Sequence, residues 1–341
     1  MTLRRNVSIA LVAVLFLGTG YFYVRNRMLF SQGNATEKTH FVLERGKNAL
    51  EVGKALQAEG LISHWIYFGA YLWKENKLHE LKAGEYDIPP LLTIPEVAFL
   101  LTEEGGDKRQ VRITFPEGWT MADMAKRLEE NGFEGEEFLR IAKNPPAALL
   151  ANYPLVKENL PEGSSLEGFL FPDTYLFLYG SPAEEVIARM LANFERKVSP
   201  DMIAEISAQE KKFFDVLVMA SVIEGEVPRE EDRYIVSGIF WKRLQVGMRL
   251  ESDATLAYAL GGERKKQHSV AETGADSPYN TYRAFGLPPG PINNPGISAI
   301  AAAIYPQKSE YFFFLSDTET GETIFSRTFE EHVANKGKYG L

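Results

Sequence analysis

Cysteine is absent from the 341 residues, which excludes disulfides and thiolate metal sites and fits either redox compartment. Histidine is scarce. The five (His40, His64, His79, His268 and His332) are scattered with no pair at metal-ligand spacing, so no metal site is expected. Positive charge is in deficit: the net charge of −9 argues against a general nucleic-acid binder, which would carry a basic patch. There is no P-loop and no G-x-G-x-x-G, so neither a nucleotide nor any other cofactor is expected. Ser164 and Ser165 invite a search for a nucleophile elbow, but G-x-S-x-G fails at Glu167. What remains is ordinary in composition, 45% apolar and 24% charged, so the chain is not a disordered one. Its length suggests two globular parts.

One long uncharged run is present, from Asn6 to Val24. As a helix it would rise about 28 Å, close to the roughly 30 Å hydrocarbon core of a bilayer. Arg4 and Arg5 precede it, Tyr21 and Tyr23 suit an interfacial belt, and no A-x-A cleavage site follows. The run is expected to be a retained transmembrane helix (6–24) after a short N-terminus (1–5) and before a polar tether (25–39). Arg25 and Arg27 balance Arg4 and Arg5, so charge leaves the orientation open.

Beyond the tether the sequence repeats itself. GKNALEVGKALQAEGL (46–61) matches GWTMADMAKRLEENGF (118–133) position for position. Each copy has a capping residue, Asn48 or Thr120, three before an acid, Glu51 or Asp123, and each helix stops at a glycine. Strand-like segments, His40–Glu44 and Gln110–Phe115, precede the two helices. Leu81–Ile88 reads as a further strand, and a third short helix starts near Thr93. On its own this region reads as a small α+β scaffold. Residues 145–161, rich in proline and asparagine, read as a linker or irregular arm, and an amphipathic helix runs from Pro182 to about Lys197.

The stretch Phe213–Leu260 carries the chemistry. Phe213, Phe214, Leu217, Ala220, Ser221 and Glu224 recur at helical spacing, which sets a carboxylate in line with an apolar stripe. Glu226 lies about 200° further round and faces away. A carboxyl in apolar surroundings tends to keep its proton and becomes a general acid near neutral pH. The bland alternative is a helix-end glutamate that reaches solvent or pairs with Arg233 or Arg243. Further on, Ser277–Gly296 is a stiff proline-rich loop whose Tyr279, Asn280, Thr281, Tyr282 and Asn294 offer ring faces and hydrogen-bonding groups suited to sugars. A helix from Ile297, a hairpin (311–315 with 323–325) and a short last helix with His332 close the chain.

These segments resemble the MltG (YceG-like) family of endolytic murein transglycosylases from the anchor to the last helix. The resemblance rests on ASVIEGE (220–226), LQVGMRL (244–250), SPYNTY (277–282), GLPPGPI (286–292), LEGFLFPDTY (166–175) and LKAGEY (81–86). It implies an α+β protein with a single transmembrane helix, a LysM-like subdomain (40–108) and a YceG-like catalytic domain (109–341). It also implies an inner-membrane location with the catalytic domain periplasmic or otherwise outside the cytoplasm.

The family's catalytic acid falls on Glu224, with Asn280, Tyr282, Glu251 and Asp253 as substrate contacts. Three positions depart from the family pattern. Gly225 replaces a usual lysine, Glu251 stands where an amide is usual in LESDAT (250–255), and Thr323 replaces a frequent histidine. The implied activity is a lyase reaction on the MurNAc–GlcNAc β-1,4 bond within nascent glycan strands, leaving 1,6-anhydroMurNAc ends and terminating strand growth. The implied partners are peptidoglycan strands and the synthases that make them. Two alternatives stand beside it. One is a muramidase pairing Glu224 with Asp253 or Glu251 at about 5–5.5 or 6.5–9.5 Å; the other is a membrane-anchored glycan-binding protein without catalysis.

Overall fold

A computed structural model describes residues 20, 25–29, 33–102, 110–261, 269–317 and 320–339. The chain is α+β; the described residues form helices and three separate two-stranded antiparallel sheets. The expected transmembrane helix is not supported: among the described residues no helix is long and apolar enough to cross a membrane. Even the sixteen-residue helix Glu230–Gln245, which carries charge at both ends, would rise only about 24 Å. Residues 6–24, on which that expectation fell, lie outside the described residues apart from Gly20.

The first core is built from β1 (Thr39–Leu43), α1 (Ala49–Ala58), α2 (Trp65–Lys74), β2 (Gly84–Ile88) and α3 (Ile94–Thr102). β1 pairs with β2, Phe41 opposite Tyr86. Leu56, Phe68, Leu72, Ile88 and Leu101 are fully buried between them. The second core takes β3 (Gln110–Thr114), α4 (Met121–Glu130), α5 (Gly135–Lys143), β4 (Thr174–Leu178), α6 (Ala183–Lys197) and α7 (Pro200–Ala208). It continues through α8 (Phe213–Glu226), α9 (Glu230–Gln245), α10 (Asp253–Ala259) and α11 (Ile297–Ile304). The β5–β6 hairpin (Phe313–Ser316, Thr323–Ser326) and α12 (Phe329–Tyr339) complete it.

Both copies of the repeat form capped helices. Asn48 with Glu51 and Thr120 with Asp123 close reciprocal capping boxes on α1 and α4. The copies then part company: Val52 and Leu56 enter the first core, whereas Met124 and Leu128 enter the second. The expected linker over 145–161 instead forms two short helices, Ala147–Leu150 and Pro154–Asn159. Its Leu149, Tyr153 and Val156 are buried in the second core, an apolar commitment that the proline and asparagine content masks.

Candidate active site

α8 is buried on every side rather than along one stripe: Val216, Leu217, Val218, Met219, Ala220, Ser221, Val222 and Ile223 are all inside. Such a helix runs through a core instead of lying on it. It packs mainly against α11. Ser221, fully buried, fastens this pair to the proline-rich loop: its Oγ accepts from the Ile292 amide at 3.0 Å, and its carbonyl accepts from Asn293 Nδ2 at 2.8 Å. The core ends at Ile223, and the last turn presents two carboxylates where a helix C-terminus disfavours negative charge. Each therefore needs a partner.

Glu224 has Arg233 from α9. Arg233 Nη2 and Nη1 donate to its two oxygens at 2.7 and 3.3 Å, and both side chains are only 6% exposed. This is a charge-assisted bidentate pair. A third donor, the Gly296 amide just ahead of α11, reaches Glu224 Oε2 at 3.0 Å. Arg233 is itself aimed by Nε, which donates to the Val227 carbonyl at 3.2 Å. On the other side of Arg233 stands Glu117, in the turn after β3, with Oε2 3.9 Å from Nη1. Gly296 makes room for it: a Cβ there would lie 1.8 Å from Glu117 Oε1.

The segments bearing Gly296 and Glu117 are clamped together. The Asn294 amide donates to the Trp119 carbonyl and the Gly118 amide donates to the Asn294 carbonyl, each at 2.9 Å. Asn294 Oδ1 accepts from the Gly168 and Leu170 amides, while its Nδ2 donates to Glu167 Oε1 at 2.7 Å. Glu167 also accepts from the Met121 amide at 2.9 Å. Burial pushes the Glu167 carboxyl up to about 8, against the pull of these two hydrogen bonds. One protonated acid and one amide thus hold the PEGWT turn, the LEG turn and the NNPG loop in register.

Glu226 turns the other way, to the start of α10, where it accepts from Ser252 Oγ in a short contact and from the Ala254 amide at 2.9 Å. The helix N-terminus suits the negative charge. Three of the residues expected to contact substrate gather here. Tyr282 Oη donates to Asp253 Oδ1 at 2.7 Å, and burial followed by the nearby Asp253 charge drives the phenol far above its ordinary value. Glu251 is exposed, holds a left-handed backbone at φ 50°, and donates its amide to the Thr281 carbonyl.

Asn280, by contrast, is fully buried. Its Nδ2 donates to the Thr273 and Ala275 carbonyls and its Oδ1 accepts from the Tyr282 amide, so it shapes the loop from behind. Gly225 separates the two carboxylate poles. A Cβ there would come within 2.5 Å of Ala254 Cβ, so α8 and α10 touch backbone-close at this point.

Arg233 was legible in the sequence only as one of two bland partners, and the roles of Glu117, Glu167 and Gly296 were not read at all. The missed signal is an acid flanked by turn residues, in PEG (116–118) and LEG (166–168), where a solvated acid and a bound one look alike in sequence. A cavity of about 430 Å³ lined by Leu160, Ile206, Lys211 and Phe214 opens at the other end of α8, and none of the site residues line it.

Residues 41–338 match the YceG-like family. A Streptococcus pneumoniae protein named endolytic murein transglycosylase is 30% identical over 94% of this chain and 62% of its own length. The chain therefore spans about three-fifths of that relative. A Bacillus subtilis protein of the same name is 27% identical over 95% of this chain and 91% of its own. A 2.6 Å crystal structure of a putative yceG-like protein from Listeria monocytogenes is 32% identical and superposes with a TM-score of 0.61, covering 89% of this chain and 100% of that one.

Proposed function

Because this chain belongs to the YceG-like family, we propose that it is an endolytic peptidoglycan lytic transglycosylase, a lyase that cuts the β-1,4 bond between MurNAc and GlcNAc inside glycan strands. The names of its streptococcal and Bacillus relatives support the reaction. The observation that carries it within this chain is Glu224. A carboxyl group only 6% exposed emerges from a core helix and is held by a guanidinium and a backbone amide at the edge of a stiff loop.

The chemistry follows from one acid acting twice. Glu224, protonated, gives its proton to the glycosidic oxygen as the C1–O bond to the departing GlcNAc breaks. The sugar's own 2-acetamido group assists the oxocarbenium-like transition state. Arg233 and the Gly296 amide stabilise the carboxylate as it forms. Glu224 then takes the proton from the MurNAc 6-hydroxyl, whose oxygen closes on C1 to make the 1,6-anhydro ring. The proton returns to Glu224 and no water is consumed.

Tyr282, Asp253 and Glu251, grouped beside the site, are proposed to line the strand, with Asn280 holding their loop. Residues 40–108 are proposed to act as a LysM-like glycan-holding part ahead of the catalytic domain (109–341). The reaction is proposed to take place on the extracytoplasmic side of the inner membrane, where new strands are made. Action there would terminate strand growth beside the synthases.

Purified peptidoglycan incubated with wild type and with Glu224→Gln tests this. The variant should fold and bind glycan yet lose about 10²- to 10⁴-fold in strand cleavage. Cleavage at the wild-type rate would remove Glu224 from the reaction.

A further inference from the structure

Glu224 as the structure presents it is bound as a base, gripped by Arg233 through both oxygens. A general acid needs its proton, and a neighbouring cation favours the form without it. Something must offset Arg233. We infer that Glu117 is a positioning residue of this site, dividing the charge of Arg233 between two carboxylates so that Glu224 can hold the proton it donates. The inference rests on the proposed reaction.

Arg233 Nη1 lies 3.3 Å from Glu224 and 3.9 Å from Glu117, so one donor nitrogen faces both acids. Gly296 seats both as well, donating its amide to Glu224 while the space of its missing side chain is filled by the Glu117 carboxylate. The placement is built rather than incidental, since paired backbone hydrogen bonds between Gly118–Trp119 and Asn294 lock the two segments side by side. Arg233 cannot drift away, because it is nearly enclosed and its Nε is tied to the Val227 carbonyl. Glu117 is the more exposed of the two acids: its side chain is 45% exposed where that of Glu224 is 6% exposed.

A second negative charge beside a carboxylate favours the protonated form of one of the two. Among the described residues, the charged groups set against Glu224 include Arg233 from α9, with Glu117 from the β3–α4 turn beyond it. Gly296, ahead of α11, contributes an uncharged amide, and Glu226 on the same helix is turned to Ser252 and Ala254. Glu117 is 45% exposed and lies 3.9 Å from an Arg233 whose closer partner is Glu224, so replacing Glu117 should leave the fold intact.

The test compares full-length wild type, Glu117→Gln and Glu117→Asp in strand cleavage across pH, with an unfolding curve for each. The expected result is an alkaline limb of kcat/KM displaced to lower pH by about one unit in Glu117→Gln. That corresponds to about a tenfold loss on that limb, with KM little changed and most of the loss restored in Glu117→Asp. An unshifted profile in Glu117→Gln overturns the inference while the proposed reaction stands. Loss of rate in both variants together with a lowered unfolding midpoint also overturns it, in favour of a structural role. A wild type that cleaves nothing overturns the proposed reaction itself, and this inference with it.

Discussion

Glu167 and Glu224 are both enclosed acids, yet their surroundings suit opposite tasks. Among the described residues Glu167 has amide donors and no cation at its oxygens, and burial keeps its proton on up to about pH 8. An unfolded chain would release that proton near 4.5. The folded form thus binds the extra proton between those values, and stability falls as pH rises from about 4.5 to 8. Glutamine mimics the protonated acid, keeping an oxygen for Met121 and Asn294. Glu167→Gln should match wild type near pH 5 and exceed it near pH 8 by about 1–3 kcal/mol in thermal or urea unfolding. A difference that does not change with pH would mean that Glu167 is ionised inside the fold. At this scale the sequence was informative about which acid sits at the end of a core helix. It was silent about which cation answers it, because Arg233 and Arg243 are both basic residues of the following helix. Arg243 in fact spends its donors on the Leu250 and Phe312 carbonyls.

Elements were more legible than contacts. The capping boxes of α1 and α4, the bounds of α6 and the closing hairpin all follow from local spacing, and local spacing is what a sequence displays. The pairing of β3 with β4, sixty residues apart at Thr114 and Thr174, is not local and leaves no such mark. Gly225 makes an element contact of this kind. A side chain at 225 would bring its Cβ within 2.5 Å of the Ala254 Cβ. Gly225 and Ala254 sit face to face across the α8–α10 crossing. Gly225→Ala should cost about 1–3 kcal/mol through overpacking, despite alanine's better helix propensity. Adding Ala254→Gly should recover much of that cost, a coupling that a double-mutant cycle measures directly. Additive losses would mean that the crossing is loose.

The whole molecule joins two cores through a buried ionic contact. Arg189 of α6, in the second core, meets Glu96 of α3, in the first, at 3.1 Å, with both side chains at most 3% exposed. Arg189 also donates to the Leu176 carbonyl and lies over the Phe177 ring. Beside them Glu185 is pushed up to about 8, first by burial and then by the Glu96 charge. Removing one member of such a pair is far more costly than the pair is stabilising, so the joint favours one arrangement of the two parts. The site lies wholly in the second core. It is assembled from chain segments spread along the sequence, from Glu117 through Glu224 and Arg233 to Gly296.

The central claim is that Glu224 closes an anhydro ring without consuming water. Peptidoglycan digested by the full chain in heavy-oxygen water, followed by mass spectrometry of the new ends, tests that claim most directly. The account predicts MurNAc ends one water lighter than the reducing sugar, free of heavy oxygen, and lost with Glu224→Gln. Reducing ends carrying heavy oxygen would contradict it and make the protein a hydrolase.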